Sequence, residues 1–270
     1  METPRLVASD VDGTLLDPLE VVTARTAAAI ERTLAAGVEF VLASGRPPRW
    51  IPHIALAAGV SGYAVCANGA VLYDIAADRV LLAHTIDPVL LGDVAHAIRA
   101  ELPDVTIAVE RVGSSANGLG GAEFLTEDGY EHPWRGEHIR TEPLGVMLGR
   151  PAIKLLLRTH GMTSDELADI TADLVGDAVD ITFSTSAGMI EVSAHGITKG
   201  TGLAELTDRL GIAAADVVAF GDMPNDVPML RWAGLGVAMG NAHPTALAAA
   251  DEVTLSNAKD GVAVVLDRWF

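Results

Sequence analysis

The sequence predicts an α/β protein, a core built on a parallel sheet and interrupted along the chain by an inserted α+β unit. Two observations carry this expectation. On both flanks of the chain, short apolar runs that suit buried strands end in polar loops and alternate with helical segments. In the middle the rhythm changes, and strands come in pairs between helices. The expected boundaries place the core at 1–83 and 193–270 and the insert at 84–192.

Each element has a local reason. Leu6-Val7-Ala8 reads as the end of a buried strand, and Gly13-Thr14 turn the chain away after it. Thr23 to Ala36 is an alanine-rich helix closed by Gly37. Glu39 to Ala43 is the next strand, running through Ser44-Gly45-Arg46-Pro47-Pro48 into a helix from Pro48 to Ala57. Tyr63 to Ala67 is a third strand, and Asn68-Gly69 between apolar residues signals a hairpin in which Ala70 to Tyr73 pairs back.

In the insert, Asp87 to Glu101 is a helix, Val105 to Glu110 a strand, and Gly113 to Gly121 a glycine-rich surface connection. Residues 122–150 show little pattern. Ile153 to Arg158 is a strand, and Thr163 to Glu166 form a capping box for a helix from Ser164 to Val175. Ile181 to Ser186 and Met189 to Val192 read as antiparallel strands around Ala187-Gly188. The alternation then resumes with a helix at Lys199 to Leu210, a strand at Val217 to Phe220, and a polar loop, Gly221 to Asp226, leading into a helix that ends near Ala233. A strand at Leu235 to Ala238 and helices at Pro244 to Ala250 and Gly261 to Trp269 complete the chain.

Composition narrows the function classes. Half of the 270 residues are hydrophobic, which argues against disorder, and no apolar run reaches membrane-spanning length. The N-terminus lacks the pattern of a signal peptide. Cys66 is the single cysteine, which excludes an intrachain disulfide and a thiolate zinc cluster and fits a reducing cytoplasm. Acidic residues outnumber basic ones 36 to 18, for a formal charge of −18. That field argues against nucleic acid and anionic membrane as partners. It also means that a site for phosphate must carry its own positive charge, from a metal, a lysine or backbone amides.

Four clusters sit at strand ends or helix starts, where ligands of an open parallel sheet bind. Asp10-Val11-Asp12 follows the first strand, and period-two geometry there aims both carboxylates the same way. Two carboxylates on one rigid edge either hold a hard cation or divide the work of nucleophile and proton carrier. Ser44-Gly45-Arg46 offers a hydroxyl and free amides to a phosphate oxygen, with Arg46 either facing phosphate or lying on the surface. Lys199 opens a helix at its positive end, a position that an anion would make favourable. Asp222, Asn225 and Asp226 add two carboxylates and an amide after Val217 to Phe220. Oxygen ligands without histidine or cysteine suit Mg²⁺ better than zinc. His195 reads as polar surface.

Together these clusters resemble the haloacid dehalogenase superfamily. DVDGTLLD resembles its first motif, LASGR its second, the lysine of ITKG its third and GDMPND its fourth. ANGA at Ala67 to Ala70, AMGNA at Ala238 to Ala242 and DGVA at Asp260 to Ala263 are similar to the Cof-like branch. The resemblance implies a Rossmann-like core, with the insert as a large α+β cap (type II, subtype B) that sets substrate specificity. It implies a Mg²⁺-dependent phosphatase acting on small phosphorylated metabolites, sugar phosphates first among them, through an aspartyl-phosphate. Asp10 would be the nucleophile and Asp12 the acid and base. Asp10, Asp222, the Asp12 carbonyl and Asp226 would serve the metal. Ser44, Gly45, Arg46, Asn68, Lys199 and Asn225 would contact substrate. A phosphomutase and a non-catalytic metabolite-binding regulator are the competing expectations. The protein is expected in the cytoplasm as a monomer or small homo-oligomer.

Overall fold

The computed structural model describes residues 2–116, 123–131 and 139–270. The chain divides into two compact units. The first holds β1 (Leu6–Ser9), α1 (Ala24–Ala35), β2 (Glu39–Ala43), α2 (Pro52–Ala58), β3 (Tyr63–Cys66), β4 (Val71–Asp74) and β5 (Arg79–Ala83). The second holds α3 (Pro88–Glu101), β6 (Thr106–Arg111), β7 (Glu123–Thr126), β8 (Ile139–Thr141), α4 (Leu144–Leu148), β9 (Lys154–Arg158), α5 (Ser164–Val175), β10 (Val179–Thr182) and β11 (Met189–Ala194). The chain then returns to the first unit with α6 (Lys199–Leu210), β12 (Val217–Gly221), α7 (Val227–Trp232), β13 (Leu235–Ala238), α8 (Pro244–Ala249), β14 (Glu252–Val253) and α9 (Gly261–Leu266).

The first unit is the predicted α/β core. Its sheet runs β14-β13-β12-β1-β2-β3-β4-β5, parallel from β14 to β3, with β4 turned back on β3 as the Asn68-Gly69 signal requires. β1 lies between β12 and β2, so the strand order reverses direction there and opens a crevice beyond its carboxyl end. All four β1 residues are buried, as expected of a central strand covered on both faces. Thr23 caps α1 by accepting from Thr26 N.

The second unit is α+β. Its sheet runs β10-β11-β9-β6-β7-β8, antiparallel except for β7 with β8. The Thr163–Glu166 capping box is present in both halves. Among the described residues no helix is long and apolar enough to cross a membrane.

Several expectations need correction. The single helix foreseen over Pro48 to Ala57 is a 3₁₀ turn, Pro48–Trp50, followed by α2, because Pro52 has no N–H to continue a ladder and fits only a first helical position. The turn at Ala187-Gly188 is a longer loop, since β10 stops at Thr182 and Gly188 O instead accepts from Thr159 N. The last helix ends at Leu266 rather than Trp269. β5, β7, β8, α4 and β14 were not foreseen. The glycine-rich stretch lies outside the described residues beyond Ala116.

Candidate active site

The residue after β1 is Asp10, and β1 stops before it, so period-two geometry does not extend to Asp12. The chain instead enters a wide turn, Val11–Leu15, broken by Asp12 (φ −83°, ψ 120°) and Gly13 (φ 80°, ψ −4°). The two aspartates therefore occupy different environments. Asp10 is 5% exposed, whereas the Asp12 side chain is half exposed. Gly13 is required here: besides its positive φ, a Cβ would lie 2.2 Å from Asp222 Oδ2.

Lys199 is fully buried. Its ammonium donates to Asp10 Oδ1 at 2.5 Å and to Asp226 Oδ1 at 2.6 Å. The anions that the α6 N-terminus called for are thus carboxylates of the protein itself. Asp226 spends its other oxygen on the amides of Asp222 and Met223, at 2.8 and 2.9 Å. Asp222 Oδ1 accepts from Thr14 Oγ1 at 3.0 Å, which ties β12 to the turn after β1.

Asp10, Asp222 and Asp226 each present a carboxylate oxygen within 4.8 Å of the others. Burial pushes the Asp10 carboxyl well above the usual range; the Lys199 ammonium opposes this, and Asp226 and Asp222 reinforce it. Burial and then Asp226 push Asp222 up to about 7. Lys199 moves upward: the two carboxylates outweigh its own desolvation. Three carboxylates around one ammonium leave excess negative charge in a dry place. A hard divalent cation with oxygen ligands relieves it, so the donor set fits Mg²⁺.

The other predicted residues fall around this cluster. Ser44 follows β2, is buried, and its Oγ accepts from Arg46 N at 3.1 Å. The Arg46 side chain is largely covered, and its Nε and Nη2 donate to Asp12 Oδ2 and Oδ1 at 2.8 and 2.5 Å. Asn68, in left-handed conformation (φ 56°), donates its backbone N–H to Ser44 O and accepts at Oδ1 from Asn225 Nδ2, both at 3.1 Å. Asn68 therefore joins the Ser44 loop to the Asp222–Asp226 loop. Asn225 Oδ1 is buried with no hydrogen-bond partner among the described residues, an acceptor left for a ligand or water. Gly69 permits this arrangement, since a Cβ there would lie 2.0 Å from Thr198 O at the head of α6. Sequence reasoning missed Thr14, Asn241 and Asn257; the last two donate to the carbonyls of Gly13 and Leu16. Asn241 lies in AMGNA, a segment already singled out, but nothing in the sequence shows which backbone it reaches.

The sequence matches the family of haloacid dehalogenase-like hydrolases over residues 7–266, nearly the whole chain. The chain belongs to this family. It is a phosphoric monoester hydrolase of the Cof-like branch. It is 29% identical over 275 residues to a 5-amino-6-(5-phospho-D-ribitylamino)uracil phosphatase of Bacillus subtilis, covering 98% of this chain and 95% of that one. It is 30% identical over 284 residues to a pyridoxal phosphate phosphatase of Escherichia coli, covering 97% of each. Its fold is that of a solved subclass IIB sugar phosphatase of the superfamily, with a TM-score of 0.82, 24% identity and 98% of each chain covered.

Proposed function

We propose that this hydrolase is a Mg²⁺-dependent phosphatase of small phosphorylated metabolites, with Asp10 as nucleophile. The observation that carries the proposal is the placement of Asp10 at the switch point of the sheet, bonded to a fully buried Lys199 and flanked by Asp222. Lys199 holds Asp10 Oδ1, which leaves Oδ2 to attack phosphorus and form an aspartyl-phosphate. Lys199 spends two of its three N–H donors on Asp10 and Asp226 and keeps the third for a phosphoryl oxygen. Ser44 accepts through its oxygen and retains its hydroxyl proton for a second one.

Asp10, Asp222 and the Asp12 carbonyl would hold Mg²⁺. When bound, the ion supplies positive charge that favours the ionised carboxylates and offsets charge on the transferring phosphoryl group. Asp226, with both oxygens engaged, would position Lys199 and the 222–226 loop instead of ligating. Asp12 would protonate the leaving oxygen and later take a proton from water. Arg46 would hold Asp12 in register, giving up one of its two bonds when Asp12 carries the proton.

The 84–192 insert would act as the cap that selects the organic part of the substrate. In support, charge lies inside that unit: Lys154 and Glu191 form a buried ion pair at 2.8 Å, and Glu110 stands opposite Lys154 in the β6–β9 register. A buried pair adds little net stability over apolar residues of the same volume, so its presence in this unit is not accounted for by folding alone. The phosphatases to which the chain is similar are named for a ribitylamino-pyrimidine phosphate and for pyridoxal phosphate. Both are small phosphate monoesters, and sugar phosphates belong in the same panel.

The test is phosphate release from that panel and from an aryl phosphate, with and without Mg²⁺. Asp10→Asn is expected to lose at least about 10³-fold in kcat while keeping the native circular dichroism spectrum. Near-native turnover by that variant would refute the assignment, and an isomeric phosphate ester in place of free phosphate would make the enzyme a mutase.

A further inference from the structure

The Val11–Leu15 turn is closed by a bond from Leu16 N to Val11 O at 2.9 Å and tied to its surroundings by Thr14 on Asp222 and by Arg46 on Asp12. Gly13 must lack a Cβ to clear Asp222, and the same lack leaves two soft torsions between Asp12 and Thr14. Those torsions leave the Gly13–Thr14 peptide plane dependent on the bonds made to it.

Side-chain amides from the far end of the chain add a restraint on the carbonyls of this turn. Asn241 Nδ2 donates to Gly13 O at 2.9 Å, and Asn257 Nδ2 donates to Leu16 O at 2.8 Å. Asn257 N donates to Asn241 Oδ1 at 3.0 Å. That last bond fixes which way the Asn241 amide faces, because only the oxygen can accept from a backbone N–H. The same segment also braces the opposite wall of the carboxylate cluster. His243 N donates to Asp222 O at 2.7 Å, and Met239 N donates to Gly221 O at 3.0 Å. Residues 239–243 therefore touch both the turn that carries Asp12 and the strand end that carries Asp222.

We propose that Asn241 is a positioning residue for phosphoryl transfer. By holding the Gly13 carbonyl it fixes the Gly13–Thr14 peptide, the link between Asp12 and the Thr14–Asp222 bond, while Arg46 holds the Asp12 side chain itself. The inference rests on the catalytic roles proposed above for Asp10 and Asp12. It does not follow from stability: Asn241 is exposed, and an exposed asparagine contributes little to folding. Its value lies in what it orients.

The experiment compares wild type, Asn241→Ala and Asn241→Asp on an aryl phosphate, whose leaving group needs no proton, and on an alkyl phosphate, whose leaving group does. Asn241→Asp keeps an acceptor for Asn257 N but has no donor for Gly13 O, so it isolates the proposed bond. Both variants are expected to lose about tenfold in kcat on the alkyl ester, the worth of one net hydrogen bond, and distinctly less on the aryl ester. KM and the melting midpoint should stay near those of wild type. Equal losses on both esters, a lowered melting midpoint with unchanged kcat per folded enzyme, or wild-type kinetics in Asn241→Asp would each overturn the proposal. Asp10→Asn runs in the same assay. If it is inactive while the Asn241 variants behave as wild type, only this inference fails; if it is active, the reading of the whole site fails with it.

Discussion

At the scale of single residues, Arg46 and Asp222 show how surroundings decide a role. Arg46 is expected among the substrate contacts, and two of its guanidinium nitrogens, Nε and Nη2, are bonded to Asp12. A lysine keeps the charge and loses the bidentate geometry. Arg46→Lys should therefore lower kcat by about tenfold and leave KM almost unchanged, since the loss falls on a group acting in the transition state. A KM rise at constant kcat would show that Arg46 binds substrate after all. Asp222 yields a pH prediction. Its folded value is pushed up to about 7 from the ordinary 3.8. Between those values the folded state binds more protons than the unfolded state, so the stability of metal-free protein falls as pH rises from about 4 to about 7. Melting midpoints in a chelator should decline from pH 5 to pH 8. Mg²⁺ should raise the midpoint more at pH 8, where the carboxylates lack protons to share. Asp222→Asn should flatten both trends; an unchanged pH slope in that variant would remove Asp222 as their source.

At the scale of elements, the site depends on α6 beginning where it does. Thr198 caps the helix by accepting from Thr201 N, and Gly69 lets the β3 end lie against Thr198 O. Gly69→Ala should destabilise the fold by about 2–4 kcal/mol, from a disfavoured positive φ and a backbone clash together, and should displace Lys199. Chemical denaturation and phosphatase activity read these two effects separately, and retention of both at native levels would show that the loop can yield. The elements that carry this site were legible in the sequence because they obey strong rules. Lys199–Leu210 has a cap before it and a glycine after it, and the β1, β2, β12 and β13 runs are continuous and apolar. The elements that escaped notice are short or weakly patterned. All three residues of Ile139–Thr141 are exposed, so no alternation marks them. The hydrogen bonds of Asn241 and Asn257 span more than 200 residues of sequence, and no local signal encodes such a distance. Burial was likewise invisible: a lysine at a helix start calls for an anion, but nothing in the sequence shows that the fold closes over it.

At the scale of the whole molecule, the formal charge of −18 opposes the approach of a phosphorylated substrate. The positive groups proposed to meet the phosphate are few and would act at contact distance, whereas the repulsion is spread over the surface and acts at long range. Salt separates the two effects. The Debye length falls from about 30 Å at 0.01 M ionic strength to about 8 Å at 0.15 M, which screens the distant charges and leaves bonded contacts nearly intact. At saturating Mg²⁺, kcat/KM for a dianionic ester should therefore rise over this range by about two- to fivefold, while kcat stays flat because the bound complex does not feel the long-range field. This trend is opposite to the one expected if the mouth of the site were basic. A fall in kcat/KM with added sodium chloride would mean that local positive charge dominates the approach. The net charge would then bear on solubility alone.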